Sequence, residues 1–253
     1  MRVIDVCSGK GGVGKTTVVL NLAFALRELN KRVCVIDTNF TTSHFQIFLD
    51  FDYNFTLNDF LLGKAGLEEI VYDYFNVKIL PSSILLDDLI DINPFELKAK
   101  LSSFFSNFDY VLIDSAPGFG KEALISLNLS NEVMFVTNPT IPSVIDTYKA
   151  IKLARTLNLR TLGIVLNQVK GKKYEISEKE VLQITNLPII VKITYDEKFI
   201  ECLNKRKPYF LTYKKSRNAK NFLKLAHWLE GIPFKQRFNF FSFLKREKEF
   251  NYL

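Results

Sequence analysis

One nine-residue stretch constrains this chain more than any other: Gly9-Lys10-Gly11-Gly12-Val13-Gly14-Lys15-Thr16-Thr17. It follows the apolar run Val3-Ile4-Asp5-Val6-Cys7, which reads as a short buried strand. It leads into Val18 to Leu29, where Val19, Leu22, Ala23 and Leu26 recur at helical spacing. Gly9, Gly14, Lys15 and Thr16 satisfy G-x-x-x-x-G-K-[ST] in the strand–loop–helix setting that this pattern requires. Glycines let the backbone wrap closely around phosphate oxygens, so that successive N–H groups and a helix N-terminus face the anion. The expectation is a nucleoside triphosphate cradled by Gly11, Gly12, Val13, Gly14, Lys15, Thr16 and Thr17. Lys15 is placed to reach the β and γ phosphates, and the Thr16 hydroxyl to ligate Mg²⁺.

The rest of the chain must supply a sheet for that loop. Arg32 to Asp37 is a second apolar strand, so the first 37 residues form a βαβ unit, with Asn30 stopping its helix. A less regular stretch follows, with a helix expected near Thr56–Leu62 and a strand at Val77–Leu80. Pro94 opens a helix to Phe105, and Tyr110–Asp114 is another buried strand. Further alternation gives helices at Lys121–Leu129 and Ile141–Leu157, with strands at Glu132–Thr137, Thr161–Leu166 and Pro188–Ile193. Helices are also expected from Ser177, where Glu180 completes a capping box, from Asp196 to Lys205, and from Ser216 to Glu230. Apolar, non-alternating strands separated by helices imply an α/β fold of three layers, a mostly parallel central sheet covered on both faces. We place this domain at residues 1–232 and treat 233–253 as a separate tail.

In such sheets ligands sit at the carboxyl ends of the strands. That rule gathers the phosphate loop, Asp37 and Asp114, and carboxylates beside a phosphate loop are expected Mg²⁺ and water partners. Either aspartate alone would read as a cap or an ion-pair partner. The three cysteines, Cys7, Cys34 and Cys202, are isolated, and the two histidines are too separated for a metal cluster. No apolar run approaches the roughly 20 residues that span a bilayer, and strand one begins with no room for a signal peptide, so a cytoplasmic protein is expected.

Lys10 adds a second lysine to the phosphate loop, and with it the chain resembles the MinD/ParA group of deviant-loop ATPases. Asp114-Ser115-Ala116-Pro117-Gly118 is similar to the group's second switch, and Thr137-Asn138-Pro139 to its Thr-Asn-Pro segment. Val165-Leu166-Asn167 resembles the segment with the adenine-contacting Asn, while Leu187-Pro188 and Asn204 to Pro208 resemble later proline-marked segments. The resemblance covers residues 1 to about 232. It implies an ATP/ADP- and Mg²⁺-binding homodimer in which Lys10 reaches the partner's phosphates, a cation supplied in trans where charge builds. It also implies nucleotide contacts at Asn138 and Asn167, and an activator or cargo protein that the sequence does not name. In one place the chain departs from the group. The first switch commonly reads Asp-x-Asp, and here it reads Asp37-Thr38-Asn39. An amide cannot act as a base, but its carbonyl can position water, so Asn39 is expected to support slow hydrolysis. His44, in the same segment with Thr41–Ser43, is the other candidate for that task.

Charge placement suggests what a switch of this kind would grip. From Lys205 onward thirteen Lys and Arg face Glu230, Glu247 and Glu249, a surplus of +10, so the preceding 204 residues carry a net −3. Such asymmetry signals an anionic partner or a solvated basic face. In the tail, Phe238, Phe240, Phe241, Phe243 and Leu244 with Lys245 and Arg246 compose a short basic, aromatic segment of the kind that lies in a membrane interface. It resembles the C-terminal targeting helix of MinD proteins, and a dimer would present two copies. The expected location is therefore cytoplasmic and peripheral to a membrane. The alternative is a ParA-like positioning protein whose Lys205–Lys224 segment grips DNA phosphates. A cluster-carrying relative lacks a C-x-x-C pair here, and a tyrosine-kinase relative would need more than Tyr252 at its end.

Overall fold

The computed structural model describes residues 1–40, 45–83 and 93–234. The chain opens with β1 (Arg2–Cys7), α1 (Lys15–Glu28) and β2 (Val33–Asp37), the expected βαβ unit. Helix α1 starts earlier than its apolar stripe because Gly14, at φ +92°, turns the loop directly into Lys15. Its far end is released by Asn30 at φ 60°. Next come α2 (Phe45–Phe48), α3 (Leu57–Leu61), a 3₁₀ turn (Leu67–Ile70), β3 (Tyr72–Tyr74), β4 (Val77–Leu80) and α4 (Pro94–Phe105). The alternation then runs β5 (Tyr110–Asp114), α5 (Lys121–Leu129), β6 (Glu132–Thr137), α6 (Ile141–Thr156), β7 (Arg160–Val169), α7 (Glu178–Thr185) and β8 (Ile189–Thr194). The chain closes its described part with α8 (Lys198–Asn204), α9 (Tyr209–Thr212) and α10 (Arg217–Leu229). Ser177 and Glu180 form the expected capping box on α7, and Ser216 caps α10 by accepting from Ala219 N.

The eight strands form one sheet in the order β3-β4-β2-β5-β1-β6-β7-β8, parallel throughout except for β3 against β4. The chain winds to one side of β1 through β2 and β4, and to the other through β6, β7 and β8. Ligand crevices open at the carboxyl ends of strands where the winding reverses. Strand pairing there sets Asp37 directly opposite Asp114. One face of the sheet buries Ile4, Val6, Val35 and Leu112 against α1, α9 and α10. The opposite face is covered in two patches: Val3, Ile36 and Ile113 lie under α4 and α5, while Cys7, Phe135 and Ile164 lie under α6 and α7. Alternation along β1 puts Asp5 on this second face, between Val3 and Cys7, where the two patches meet. No helix among the described residues is long and apolar enough to cross a membrane.

Candidate nucleotide site

The phosphate loop spans the gap between β1 and α1, and close packing dictates its glycines. A Cβ on Gly9 would lie 2.2 Å from the Asp146 backbone, so only glycine lets the loop pass against α6. A Cβ on Gly14 would meet the Asn167 side-chain nitrogen at 2.3 Å. Within this frame the two lysines diverge. Lys15 is 8% exposed and donates to Ser8 Oγ at 2.8 Å, whereas Lys10 is exposed on the outer face of the loop. Ser8 Oγ in turn donates to the Lys10 carbonyl at 2.7 Å, which ties the two positions together.

Opposite the loop lies a short acidic edge. Thr16 Oγ1 donates to Asp114 Oδ2 at 2.6 Å, while Asp114 Oδ1 is buried and has no hydrogen-bond partner among the described residues. Burial lifts the Asp114 carboxyl to about 6, against the opposing pull of Lys15 and the Thr16 hydroxyl. Burial likewise lowers Lys15, and Asp114 counters that shift most strongly. A buried carboxylate oxygen without a donor, beside a threonine hydroxyl, suits a hard divalent cation with oxygen ligands. Thr16 and Asp114 fit Mg²⁺ on that ground, with Asp37 alongside. Asp37 is 1% exposed, and its Oδ1 accepts from Asn39 N at 2.9 Å, which fixes the backbone of the first switch.

Beside the phosphate loop the crevice widens into a cavity of about 460 Å³, bounded by Gly11, Gly12, Gly14, Lys15, Thr16 and Thr17 on one side. Asn39 and Pro117 close it next to the switches, Gln168 adds a polar amide, and Phe48, Phe199, Ile200 and Leu203 give it an apolar far wall. A phosphate-binding end continuous with an apolar slot matches a nucleotide, whose base is flat and weakly polar. Asn167 does not line this cavity but is buried against the loop, its amide donating to the Val13 carbonyl at 2.7 Å. Gln168 adopts φ 58° and donates to the Gly12 carbonyl at 3.3 Å. The far-wall residues escape sequence reading because α2 and α8 are short and no motif marks them. Gln168 is signalled only by its position next to Asn167.

These features have counterparts in known proteins. A family model described as an AAA domain matches residues 1–162, and one described as NUBPL iron-transfer P-loop NTPase matches residues 97–230. The septum site-determining protein MinD of Thermotoga maritima is 31% identical over 270 residues, covering 97% of this chain and 99% of that protein. The chain belongs to the MinD/ParA family of P-loop ATPases. The structure of MinD from Pyrococcus horikoshii complexed with Mg-ADP shares 31% identity at a TM-score of 0.84, over 90% of this chain and 96% of that one. The Aquifex aeolicus MinC:MinD complex shares 25% identity at a TM-score of 0.81, over 93% and 99%.

Within this MinD/ParA framework the other site residues separate. Asn138 stands one step from the main cavity, its amide donating to the Asn167 carbonyl at 3.3 Å. It lines a neighbouring cavity of about 380 Å³ together with Lys10, Thr140, Gln168 and Tyr174. Thr41–Ser43 and His44 of the first switch lie outside the described residues, as do Phe238, Phe240, Phe241, Phe243, Leu244, Lys245 and Arg246. The cysteines offer little to an iron-transfer role. Cys7, Cys34 and Cys202 are buried on three separate elements, and burial pushes the Cys7 and Cys34 thiols well above their ordinary value.

Asp5 carries no sequence signal and yet is the most deeply placed charge near the loop. It is 0% exposed in the middle of β1, and its Oδ2 accepts from Ser126 Oγ on α5 at 3.1 Å. Burial lifts its carboxyl to about 7 against the opposing pull of the neighbouring Ser126 and Ser115 hydroxyls. Ser115 follows Asp114 and also donates to the Val6 carbonyl at 2.9 Å, and Gly118 N donates to the Ser8 carbonyl at 3.1 Å. The second switch is thereby stitched to the phosphate loop along β1.

Proposed function

We propose that this chain is a MinD-like ATPase that dimerises on binding ATP and Mg²⁺, and that slow hydrolysis resets it. The observation that carries this reading is the division of labour between the loop lysines. The buried Lys15 serves the phosphates of its own nucleotide, and the exposed Lys10 is free to serve those of a partner. Bound Mg²⁺ would supply charge neutralisation at the β and γ oxygens. Asn39 orients the attacking water through its side-chain carbonyl, its backbone held by Asp37, and Asn167 and Asn138 contribute on the nucleoside side. The P. horikoshii relative is a complex with Mg-ADP, which supports the cofactor assignment.

The switch, in this proposal, controls residence on an anionic membrane through the tail at 233–253, and a bound partner protein is positioned accordingly. The A. aeolicus relative is a MinC:MinD complex, which supports a protein partner here. A phosphate-release assay tests the enzyme claim, and a rate equal to that of Lys15→Ala would end it. Lys10→Ala should retain nucleotide binding and lose ATP-dependent dimerisation by sedimentation velocity. Sedimentation with anionic vesicles, with and without ATP, tests the anchor, and Phe240→Glu with Phe241→Glu should remove binding.

One observation favours the ParA-like alternative. A cavity of about 670 Å³ beside β8 is lined by Lys170, Lys172, Lys192 and Arg217, cations suited to a polyanion. A duplex mobility shift read across salt concentration distinguishes the two readings.

A further inference from the structure

Helix α10 carries two faces of unequal purpose. Its inner face buries Ala219, Phe222, Leu225, Ala226 and Leu229, while Asn218 and Asn221 donate to the Thr194 and Lys192 carbonyls on the edge of β8. Its outer face exposes Arg217, Lys220, Lys224 and Trp228. At 100° per residue these four fall within one narrow stripe roughly 16 Å long. The three cations have no carboxylate partner among the described residues, and nearby acids face elsewhere. Glu230 turns to Lys31 and to the Tyr110 hydroxyl, Glu28 to Lys214 and Glu178 to Lys192. Trp228 is 43% exposed and Ile232, one turn further on, is 49% exposed. Three cations grading into an exposed indole form a surface that pairs with anionic headgroups at one end and with the headgroup–acyl boundary at the other.

We propose that this outer stripe of α10 rests on the anionic membrane surface, so that the folded domain itself, and not the tail alone, reads the lipid. The proposal builds on the tail-anchor reading above. Continuity of the chain argues for it. Phe234 packs edge-on against His227 at 5.3 Å and lies under the Lys224 ammonium at 5.7 Å, which holds the start of the tail against the stripe. From Phe234 to Phe238 the chain can extend at most about 14 Å, which bounds how far the first aromatic residue of the tail's gripping segment can lie from Phe234. Each cation near an anionic surface contributes a comparable increment of attraction, so Arg217, Lys220 and Lys224 add to the tail's own basic residues. A lipid-bound α10 also fixes the orientation of the domain on the surface.

Trp228 is the single tryptophan of the chain and therefore reports on its own contact. The full-length protein with Mg-ATP is mixed with vesicles of phosphatidylglycerol and phosphatidylcholine, or of phosphatidylcholine alone. On the anionic vesicles the emission should move to shorter wavelength and be quenched by lipids brominated along the acyl chain. Lys220→Glu with Lys224→Glu should weaken co-sedimentation about tenfold or more, and Lys220→Gln with Lys224→Gln by less. Both pairs are exposed, so nucleotide-dependent thermal stabilisation should be unchanged. Pelleting with unaltered Trp228 emission and no effect of charge reversal would overturn this proposal and leave the tail anchor standing. An absence of pelleting with any vesicle would remove both. Charge reversal that abolishes a duplex mobility shift but spares vesicle binding would assign the stripe to nucleic acid instead.

Discussion

The two ends of the central sheet are built on opposite principles. At the carboxyl ends of β1, β2 and β5 the chain buries its charges, with Lys15 on Ser8, Asp114 with a bare Oδ1, and Asp37 directly across the pairing from Asp114. At the amino ends it pairs them. Glu132 receives both Arg2, at 2.6 Å, and Arg160, at 3.0 Å, and Arg32 meets Asp109 while Lys31 meets Glu230. Desolvated charge without a full set of partners costs stability and is kept where a ligand completes it. Charges that find partners at the rim cost little, and an exposed pair such as Arg32–Asp109 contributes little and is easily replaced. One end is therefore made for a ligand and the other for closure, and substitutions should separate the two.

The largest separation is expected at Lys15. Lys15→Ala removes the ammonium that faces the phosphates, and phosphate release should fall at least 100-fold, to the uncatalysed background. The same change relieves one buried charge and deprives Asp114 of its counter-cation, but that carboxyl already sits at about 6 and can take up a proton. The nucleotide-free protein should therefore stay folded, with a thermal midpoint within a few degrees of the parent's, roughly 1 kcal/mol. A variant that is inactive and also unfolded would contradict this account of the carboxyl end.

The buried carboxyl of Asp5 extends the same principle into the strand. Its raised folded-state value means that the native protein holds a proton which the unfolded chain releases near pH 4. Its contribution to stability is thus fully present below about pH 4 and lost as pH rises to about 7, the two values that bound the window. Asp5→Asn should abolish that loss, leaving the variant more stable than the parent at pH 8 by roughly 2–4 kcal/mol. Urea denaturation at pH 5 and pH 8 measures it, and parallel curves for the two proteins at both pH values would refute it.

Asp5 also shows where sequence reading stops. Strands, helices and the loop were legible because each announces itself locally: apolar runs for β2 and β5, proline at the start of α4, and Ser177 with Glu180 for α7. The antiparallel strand β3 was not. It has three residues, and its turn is made by Phe75 and Asn76, both at positive φ, without the Asn-Gly or Asp-Gly pair that usually betrays such a hairpin. Thr16, Asp37 and Asp114 could be gathered by the rule that ligands sit at strand ends. The apolar wall of Phe48, Phe199 and Ile200 could not, since two short helices distant in sequence meet there only through tertiary packing. Asp5 passes without a signal inside the apolar run of β1, and its importance depends on Ser126, 121 residues away.

Gly14→Ala tests the carboxyl end from the backbone side. The new Cβ would meet Asn167 Nδ2 at 2.3 Å, and φ +92° is unfavourable for any side chain. Asn167 must then leave Val13, and the loop must relax toward negative φ. A stability loss of about 1–3 kcal/mol is expected, with a disproportionate loss of nucleotide affinity by isothermal titration calorimetry. Affinity that survives intact would show that the Asn167 contact and the αL geometry are not needed to shape the loop.

At the amino ends the effect should be smallest. Glu132→Ala deletes the shared acceptor of Arg2 and Arg160, yet Arg2 keeps the Leu229 carbonyl and Arg160 is largely exposed. Neither arginine is left as a buried, uncompensated charge, so the cost should be about 1 kcal/mol in urea denaturation. Phosphate release should stay within about twofold of the parent, because the pair acts on closure and not on the ligand. A loss comparable to Lys15→Ala would mean that the two ends are coupled along β1, whose residues Arg2 and Cys7 mark its opposite limits. The contrast between the ends would then be one of position alone, and the stitched path Asp5–Ser115–Val6 would be the first place to look for the coupling.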